Sequence, residues 1–558
     1  MADTENMENE SDEEMEEEVQ CGSDMEDEGE DEGPAKTYLP GEPLQEGEEL
    51  VCDESAYVMY HQAQTGSPCL SFDVVPDNLG ESRQTYPMTC YMAAGTQAQR
   101  GKTNHVIIMK MSNLNRTLKA SKEGDSDSES SESEDEEEKP ELETAIINHS
   151  LGAVNRIRVT RHKENTLAAT WSDKGKVQIW DLMSPLMALN DPMMMSSYVK
   201  NDESKPALFT FSGHQVEGFA LDWSTTSPGK LLSGDCNKNI HLWTPGEGGT
   251  WKVDQRPFSA HTSSVEDLQW SPTEDNVFAS CSVDRSIRIW DSRAAPHKAC
   301  MLTAADAHER DVNVIHWNRN EPFILSGGDD GVLKVWDLRQ FQQGKPAALF
   351  KHHTAPITSV EWHPTDSSVF AAAGSDDQVS LWDLGVERDI DAQGPSDGEP
   401  EVPAQLLFIH QGQTDIKEIH WHRQLPGVIL STAHSGFNIF RTISVLRKIV
   451  AEIMDEAPVV VAFTMKQGRS RFCERCFLDR NFMAVDFIGP KQSSDESRQS
   501  GCRQHTRDGK AYTNDSTDAC IGEGQTTILG LLGLLLKEAQ LVPLHAGPAV
   551  PERMSEEI

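Results

Sequence analysis

The chain has 558 residues, a formal net charge of −42 at pH 7 and 11 irregularly spaced cysteines. Such an acidic chain repels phosphate, which argues against direct nucleic-acid binding, and its cysteine pattern argues against a disulfide framework. The longest apolar run, ILGLLGLLL at 528–536, is about half of what a bilayer requires. The first residues lack the basic and apolar regions of a signal peptide. We therefore expect no membrane association and a reducing compartment.

Two acidic blocks interrupt the chain. Residues 1–49 hold about twenty acidic side chains against the single Lys36, and residues 123–143 hold a second block. Segments this acidic bury too little apolar surface to offset the entropy of ordering. We predict a disordered tail over 1–49 and a disordered insertion over 119–143. Two interpretations stay open: the blocks solubilise the protein, or they attract and shield basic proteins through a long-range field.

After the tail, the stretch EELVCDESAYVMYHQ at 48–62 spaces its apolar residues as an amphipathic helix does. We predict a short helix that docks on the folded domain through Leu50, Val51, Tyr57 and Val58. Three strand-like runs follow, separated by Pro, Gly and Asn turn signals. They are SFDVVPD at 71–77, MTCYMAAG at 88–95 and HVIIMKM at 105–111.

The most regular part of the chain is residues 257–384, where one pattern occurs three times. A His precedes an alternating strand that ends in Trp-Asp, as in His261 with SIRIWDS, His308 with VLKVWDL and His353 with VSLWDL. The three Trp residues are 46 positions apart. A period in the forties with Trp-Asp strand ends is typical of a WD-repeat β-propeller.

Weaker copies extend the pattern to seven blades: HVIIMKM, VQIWDL after His149, IHLWTP after His214 and FNIFRT after His410. We predict an all-β, seven-bladed propeller over residues 50–445, with loop insertions at 183–206 and 385–404. The run SFDVVPD is then free to pair with the last blade, which would remove two open sheet edges. Residues 446–558 lack the period and are predicted to be a mostly disordered extension.

The recurring polar residues are predicted to hold each blade together. The Asp six positions before the Trp can bond the His, which in turn reaches a Ser or Thr and the indole N–H. These positions are Asp284, Asp330, Asp376 and, standing in for Asp, Asn237. An active site does not repeat around a ring, so we assign these residues to structure and expect no catalytic activity.

No nucleotide-binding, zinc-protease or serine-hydrolase motif is present in the sequence. Accordingly we expect no cofactor and no metal. Two weak metal signals are His420 with His422, and Cys473-x-x-Cys476 followed by Cys502-x-x-His505. Incidental cysteines are the favoured explanation of the second, and zinc binding there stays open.

Four stretches carry a family resemblance: AYVMYHQAQTGSPCLSFDVVPD at 56–77, YPMTCYMAAGTQ at 86–97, NHVIIMKM at 104–111 and PAQLLFIHQGQT at 403–414. With them the chain resembles the nuclear WD-repeat histone-binding proteins of the retinoblastoma-binding and chromatin-assembly type. Within that family it is similar to the glutamate-rich WD-repeat proteins over residues 1 to about 445. The resemblance implies a nuclear and nucleolar scaffold or chaperone in ribosome assembly and on chromatin. The implied partners are core histones, large-subunit ribosomal proteins and pre-ribosomes.

In the relatives, a core-histone helix lies between the N-terminal helix and an acidic, Pro-containing loop. The resemblance therefore implies an apolar floor from Leu50, Val51, Tyr57 and Val58. It also implies acidic partners for Lys or Arg at the loop positions Asp389, Asp391, Asp397, Glu399 and Glu401.

Two further features suggest regulation or a different role. Trp290-Asp-Ser-Arg293 and Trp336-Asp-Leu-Arg339 fit the W-D-x-R ending of substrate receptors that bind the adaptor of cullin-4 ubiquitin ligases. A salt bridge within the blade explains Arg293 and Arg339 equally well. Ser126, Ser131 and Ser133 each have an acidic residue three positions later, which suits an acidophilic kinase.

Overall fold

The computed structural model describes residues 53–99, 102–117, 139–201, 205–387 and 402–445. Within these ranges the chain forms seven four-stranded antiparallel sheets. The first strands in chain order are β1 Tyr57–Ala63, β2 Cys69–Val74, β3 Met88–Thr96, β4 Asn104–Leu114, β5 Glu141–His149, β6 Val154–His162, β7 Asn165–Ser172 and β8 Lys176–Asp181. Two helices follow, α1 Met183–Ala188 and α2 Pro192–Asn201.

The next strands are β9 Phe209–Phe211, β10 Leu221–Trp223, β11 Leu231–Gly234, β12 Ile240–Pro245, β13 Trp251–Val253, β14 Val265–Trp270, β15 Val277–Ser282, β16 Ile287–Asp291 and β17 Cys300–Ala304. The last are β18 Val312–Trp317, β19 Phe323–Gly328, β20 Val332–Asp337, β21 Ala348–Lys351, β22 Ile357–Trp362, β23 Val369–Gly374, β24 Gln378–Asp383, β25 Leu406–His410, β26 Glu418–Trp421, β27 Val428–Ala433 and β28 Gly436–Thr442.

Each sheet is one blade of a closed ring. Blades 1 to 6 take four consecutive strands each, from β2–β5 to β22–β25, and blade 7 combines β26–β28 with β1. Seven hydrophobic clusters each fill the space between two neighbouring blades, including blades 7 and 1. This arrangement confirms the predicted all-β, seven-bladed WD-repeat propeller.

The strand that closes the ring is β1, and two predictions are corrected here. β1 pairs antiparallel with β28, from Tyr57 opposite Thr442 to Ala63 opposite Phe437. Residues 57–62, predicted to be helical, are therefore an extended strand. A short isolated helix is only marginally stable, whereas the edge of β28 offers hydrogen-bond partners to the backbone N–H and C=O groups of this segment. Within the described part of this stretch, Glu54–Ala56 forms a helical turn of the 3-10 type. SFDVVPD supplies β2 of blade 1 instead of the closing strand.

The predicted polar network within the blades is present. In blade 4, His261 Nδ1 is hydrogen-bonded to Asp284 at 3.0 Å, and His261 Nε2 to Ser280 at 2.6 Å. Trp290 Nε1 donates to the same Ser280 hydroxyl at 2.8 Å. Equivalent sets are His308, Asp330, Ser326 and Trp336 in blade 5, and His353, Asp376, Ser380 and Trp382 in blade 6.

In blade 3 the carboxylate comes from Asp235 rather than from the predicted position 237. His214 Nδ1 lies 2.8 Å from Asp235 Oδ2, whereas Asn237 only donates its backbone N–H to Asp235. The reason is local: Asp235 directly follows β11, so the turn begins beside the histidine.

The first strand of each blade is its inner strand, and side chains join the inner strands of neighbouring blades. In blades 3 to 6 the residue before the Trp that ends the inner strand accepts a hydrogen bond from the backbone N–H of the corresponding Trp in the next blade. This bond satisfies a donor at the edge of that sheet. The pairs are Asp222 with Trp270 (2.7 Å), Gln269 with Trp317 (3.3 Å), His316 with Trp362 (3.2 Å) and Glu361 with Trp421 (3.2 Å).

The seam between blades 7, 1 and 2 is ionic. Glu418, with only 1% of its side chain exposed, pairs with Arg156 at 2.6 Å and Arg158 at 2.8 Å. Its other oxygen accepts hydrogen bonds from the Ser71 hydroxyl (2.7 Å) and the Phe72 N–H (2.9 Å). One buried carboxylate thus ties the last blade to the first two.

The insertion predicted as a loop at 183–206 contains α1 and α2. Both pack on the propeller: Ala188 and Tyr198 are buried, and the Tyr198 hydroxyl donates to the Ile146 carbonyl at 2.8 Å. In the described part of the chain, neither helix is long and apolar enough to cross a membrane.

Candidate functional site

The candidate site is a group of carboxylates at one end of the propeller. Two parts of each blade lie at this end: the connection that leads into the first, inner strand, and the turn between the second and third strands. They share one end because neighbouring strands are antiparallel. We call the following set the acidic face: Glu217, Glu266, Asp311, Asp329, Asp377 and Asp415. None of the six is the His-bound Asp of a blade network.

Hydrogen bonds hold several of these carboxylates in place. Asn155 Nδ2 donates to Glu217 at 3.0 Å, and Asn313 Nδ2 donates to Asp329 at 2.9 Å. The Asp329 N–H bonds the Asp311 carbonyl at 2.9 Å, which places these two acidic residues side by side. Across blades 6 and 7, the Asp415 N–H donates to Asp377 at 2.6 Å. Several of the acidic groups are therefore fixed at strand ends of the propeller.

Two residues of the acidic face, Glu266 and Asp311, ionise less readily than usual. Burial raises the pKa of Glu266, and the neighbouring Asp311 and Asp267 raise it further, while Arg156 acts in the opposite direction. Burial also raises the pKa of Asp311, to which Asp329 adds. A cation placed among these groups removes the repulsion, so the face suits a Lys or Arg side chain from a basic partner.

Sequence reasoning missed this face, although a signal exists. Glu217, Asp311 and Asp415 each lie six residues before the Trp of an inner strand, at Trp223, Trp317 and Trp421 respectively. Because the inner strands surround one axis, equivalent positions in different blades converge even when they are far apart in the sequence.

The predicted N-terminal partner-binding residues divide into two groups. Leu50 and Val51 lie outside the described residues. Tyr57 and Val58 are only 5% and 6% exposed, and the Tyr57 hydroxyl is hydrogen-bonded to His410 Nδ1 at 2.8 Å. Both side chains are thus occupied within the propeller, since β1 is a blade strand and not a helix on its surface.

Two other predicted sets also lie outside the described residues. They are the acidic loop positions Asp389, Asp391, Asp397, Glu399 and Glu401, and the candidate phosphorylation sites Ser126, Ser131 and Ser133. The described chain stops at Val386 and Glu387 before the loop and resumes at Val402 and Pro403.

The W-D-x-R arginines are exposed and bound to the Asp of their own motif. Arg293 Nη2 lies 2.6 Å from Asp291, and Arg339 Nη2 lies 2.9 Å from Asp337, with side-chain exposures of 69% and 64%. The salt bridge that the sequence allowed is therefore formed in both blades, and each guanidinium keeps an exposed edge.

The histidine pair does not form a joint metal site. His420 Nδ1 bonds Glu361 at 2.8 Å. Burial lowers the pKa of His420, but the carboxylates of Glu361 and Glu418 outweigh burial and raise it to about 10. His422 Nδ1 instead accepts backbone N–H groups of the turn that follows it. Over the described ranges, no group of three or more His, Cys, Asp or Glu side chains could hold a metal ion. Cys473, Cys476, Cys502 and His505 lie outside those ranges.

Two family models match the chain. Residues 47–115, which include β1 to β4, match the family of the histone-binding protein RBBP4 and its counterpart in the CAF1 complex. Residues 252–291, 299–337 and 344–383 match the WD domain, G-beta repeat. Fold and matches together define a WD-repeat propeller protein with the N-terminal module of the histone-binding group.

Relatives from three organisms are similar over most of their length. The chain is 44% identical to ribosome assembly protein rrb1 of Schizosaccharomyces pombe, over 75% of this chain and 87% of that protein. It is 41% identical to the Arabidopsis thaliana protein HEAT STRESS TOLERANT DWD 1, over 75% and 94% respectively. It is 45% identical to the glutamate-rich WD repeat-containing protein 1 of Dictyostelium discoideum, over 74% and 86%. The chain belongs to the glutamate-rich WD-repeat family.

Proposed function

We propose that this protein is a non-enzymatic nuclear and nucleolar scaffold or chaperone that binds and shields basic clients. The proposed clients are core histones and large-subunit ribosomal proteins, through which it would act on chromatin and pre-ribosomes. The observation that carries the proposal is the cluster of Glu266, Asp311 and Asp329 at the strand ends of blades 4 and 5, where neighbouring carboxylates add to the burial that raises the pKa of Glu266 and of Asp311. The histone-binding description of the matched family and the ribosome-assembly name of the Schizosaccharomyces pombe relative support it.

The mechanism we infer is charge shielding without a chemical step. Rigid carboxylates on the acidic face select where Lys and Arg bind, while the acidic blocks at 1–49 and 123–143 raise the local concentration of cationic partners. The loop residues Asp389, Asp391, Asp397, Glu399 and Glu401 are proposed as a second acidic contact, with Leu50 and Val51 contributing apolar surface.

The test compares two triple variants with equal loss of charge. The first is Glu266→Gln, Asp311→Asn, Asp329→Asn on the acidic face. The matched control is Glu164→Gln, Glu274→Gln, Glu321→Gln, three exposed residues in turns at the opposite end of the blades. Affinity for purified core histones and a large-subunit ribosomal protein is expected to fall about tenfold in the first variant and to change little in the second. Equal affinities in the two variants would exclude the acidic face as the site.

A second candidate function is that of substrate receptor for a cullin-4 ubiquitin ligase. The observation in its favour is the exposure of Arg293 and Arg339, which leaves both guanidiniums accessible beside their Asp partners. The test is co-purification of the ligase adaptor with Arg293→Ala plus Arg339→Ala. Unchanged recovery of the adaptor would remove this candidate.

A further inference from the structure

An open apolar groove lies at the end of the blades opposite the acidic face. It is bounded by the segment that follows β2 and by the helices α1 and α2, and it encloses a cavity of about 400 Å³. Six apolar residues line it, and we call them the methionine groove: Val75, Leu79, Met183, Leu186, Met187 and Met194.

Exposed hydrophobic side chains concentrate around this groove. Among the described residues, eleven large hydrophobic side chains are exposed, and five of them lie on α1 or α2 or line the groove. These five are Leu79, Met187, Met193, Met194 and Val199. Single exposed hydrophobic residues are normal on a protein surface, whereas a concentration of them beside a cavity is typical of a docking surface.

The polar residues that line the groove are already engaged with the protein. Asp77 is paired with Arg83 at 2.7 Å, and the Tyr91 hydroxyl donates to Asn190 Oδ1 at 2.6 Å. The Arg161 guanidinium donates to two backbone carbonyls of the segment that follows β2. The methionine side chains are unbranched and polarizable, so they adapt to the shape of an apolar partner. The groove therefore favours a leucine-rich occupant over a charged one.

The chain itself contains a segment of this chemistry. Its longest apolar run, ILGLLGLLL at 528–536, lies outside the described residues. The sequence spaces Ile528, Leu531, Leu532 and Leu535 as one face of a helix does. The two glycines within the run disfavour a helix in isolation, so an apolar surface that covers this face would supply the missing stability.

The length of the chain allows this run to reach the groove. Residues 446–527 connect the run to Val445, the last described residue. Fully extended, this stretch would span about 280 Å, far more than the radius of gyration of about 21 Å expected for a domain of this size. A segment of the same chain also meets the groove at an effective concentration that does not depend on the concentration of the protein.

We propose that the methionine groove is the docking site of residues 528–536 of the same chain, which bind it as a helix. The leucine face of this helix packs against Met187 and Met194, and both apolar surfaces leave water. The inference does not rest on the proposed function, because the groove and the acidic face lie at opposite ends of the blades.

The test is oxidation of the full chain by dilute hydrogen peroxide, with mass spectrometry following Met187 and Met194 at low extents of oxidation. Met301 in blade 4, which is 50% exposed, is the internal reference. In the variant Leu531→Ser, Leu532→Ser, Leu535→Ser, both groove methionines are expected to oxidise at least threefold faster than in wild type, and Met301 at the same rate.

The matched control is Val459→Ser, Val460→Ser, Val461→Ser, which alters another apolar run beyond Val445 and is expected to behave as wild type does. Equal oxidation rates in wild type and the leucine variant, or an equal rise in the valine variant, would overturn the proposal. Protection that falls on dilution of the protein would assign the groove to a second copy and would also overturn it.

A reciprocal experiment changes the groove instead of the run. Met187→Glu plus Met194→Glu is expected to speed amide hydrogen exchange within residues 528–536 at least tenfold, whereas Met301→Glu should leave it unchanged. Unchanged exchange in the double variant would contradict docking at this groove. Circular dichroism checks that the double variant folds, and the leucine variant, which leaves every described residue unchanged, decides if it does not.

Discussion

The Tyr57 hydroxyl is hydrogen-bonded to His410 Nδ1 at 2.8 Å, across 353 positions of sequence. His410 ends β25 in blade 6, while Tyr57 begins the closing strand β1 in blade 7. Asn438 of β28 lies 3.1 Å from the other ring nitrogen of His410. In the regular blades, Asp bonds Nδ1 of the His and Ser bonds Nε2. At the closure of the ring, Tyr57 replaces the Asp and Asn438 replaces the Ser.

Tyr57→Phe is expected to destabilise the propeller by about 1–2 kcal/mol, because it leaves a buried His410 nitrogen without a partner. The measurement is the free energy of unfolding by urea. Tyr86→Phe is the matched control. The Tyr86 hydroxyl is buried and has no hydrogen-bond partner among the described residues, so its removal should have little effect. Equal stability of Tyr57→Phe and wild type would show that this contact does not help to close the ring.

Glu418→Gln should destabilise the fold by about 3–5 kcal/mol, because Arg156 and Arg158 lose their shared carboxylate. Glu143→Gln, which removes an exposed pair with Lys110, should change stability by only about 0–1 kcal/mol. Burial raises the pKa of Glu418, but Arg158 and Arg156 outweigh it and hold the pKa well below 4.5.

The contribution of Glu418 is therefore present above about pH 4.5 and is lost as the pH falls through the lower folded-state pKa. Urea unfolding at a series of pH values should show a smaller loss of stability in acid for Glu418→Gln than for wild type. Parallel pH curves for the two proteins would contradict this assignment.

Asp222→Asn should stabilise the protein at alkaline pH. Burial raises the pKa of Asp222 to about 7 from 3.8, so wild type loses stability as the pH rises from about 4 to 7. Asparagine keeps an acceptor for the Trp270 N–H but carries no charge. The advantage of the variant in urea unfolding is expected to grow by about 1–3 kcal/mol between pH 5 and 8. An advantage that does not change with pH would show that Asp222 titrates normally.

Arg441→Met should raise the stability by about 1–2 kcal/mol, because a buried guanidinium with unsatisfied nitrogens is unfavourable. Arg441 is only 2% exposed and lies opposite Met59 and Val428 in blade 7, and its Nε and Nη2 have no hydrogen-bond partner among the described residues. Arg256→Met, at an exposed position, is the control and should leave the stability nearly unchanged. A lower melting temperature for Arg441→Met than for wild type would contradict the prediction.

The fold was predictable because the spacing of Trp290, Trp336 and Trp382 reports a repeat, and a repeat of this length has few architectures. The closing strand was not, because YVMYHQA fits a helical as well as an extended pattern, and the edge of β28, almost 400 residues away, decides between them. In blade 6 the hydroxyl that bonds Trp382 comes from Ser380 in the third strand rather than from the second strand. Pairing between strands, which local patterns do not report, determines such details.

The acidic face was not predicted for a similar reason. Glu217 and Asp415 are separated by almost 200 residues, and only the closed ring brings equivalent turns to one end. Four inner-strand residues accept the Trp N–H of the next blade, but they have four different side chains, so no sequence motif connects them: Asp222, Gln269, His316 and Glu361. Geometry common to the blades identifies both groups, whereas composition does not.

The most direct test of the central claim isolates the acidic face from the acidic segments. The protein lacking residues 1–49 and 123–138, which leaves β5 intact, is titrated with core histones over a salt series, with and without Glu266→Gln, Asp311→Asn, Asp329→Asn. We predict that the truncated protein still binds, and that the three substitutions weaken binding about tenfold at low salt and flatten its salt dependence. If affinity and salt dependence are unchanged by the substitutions, basic clients do not bind at the acidic face.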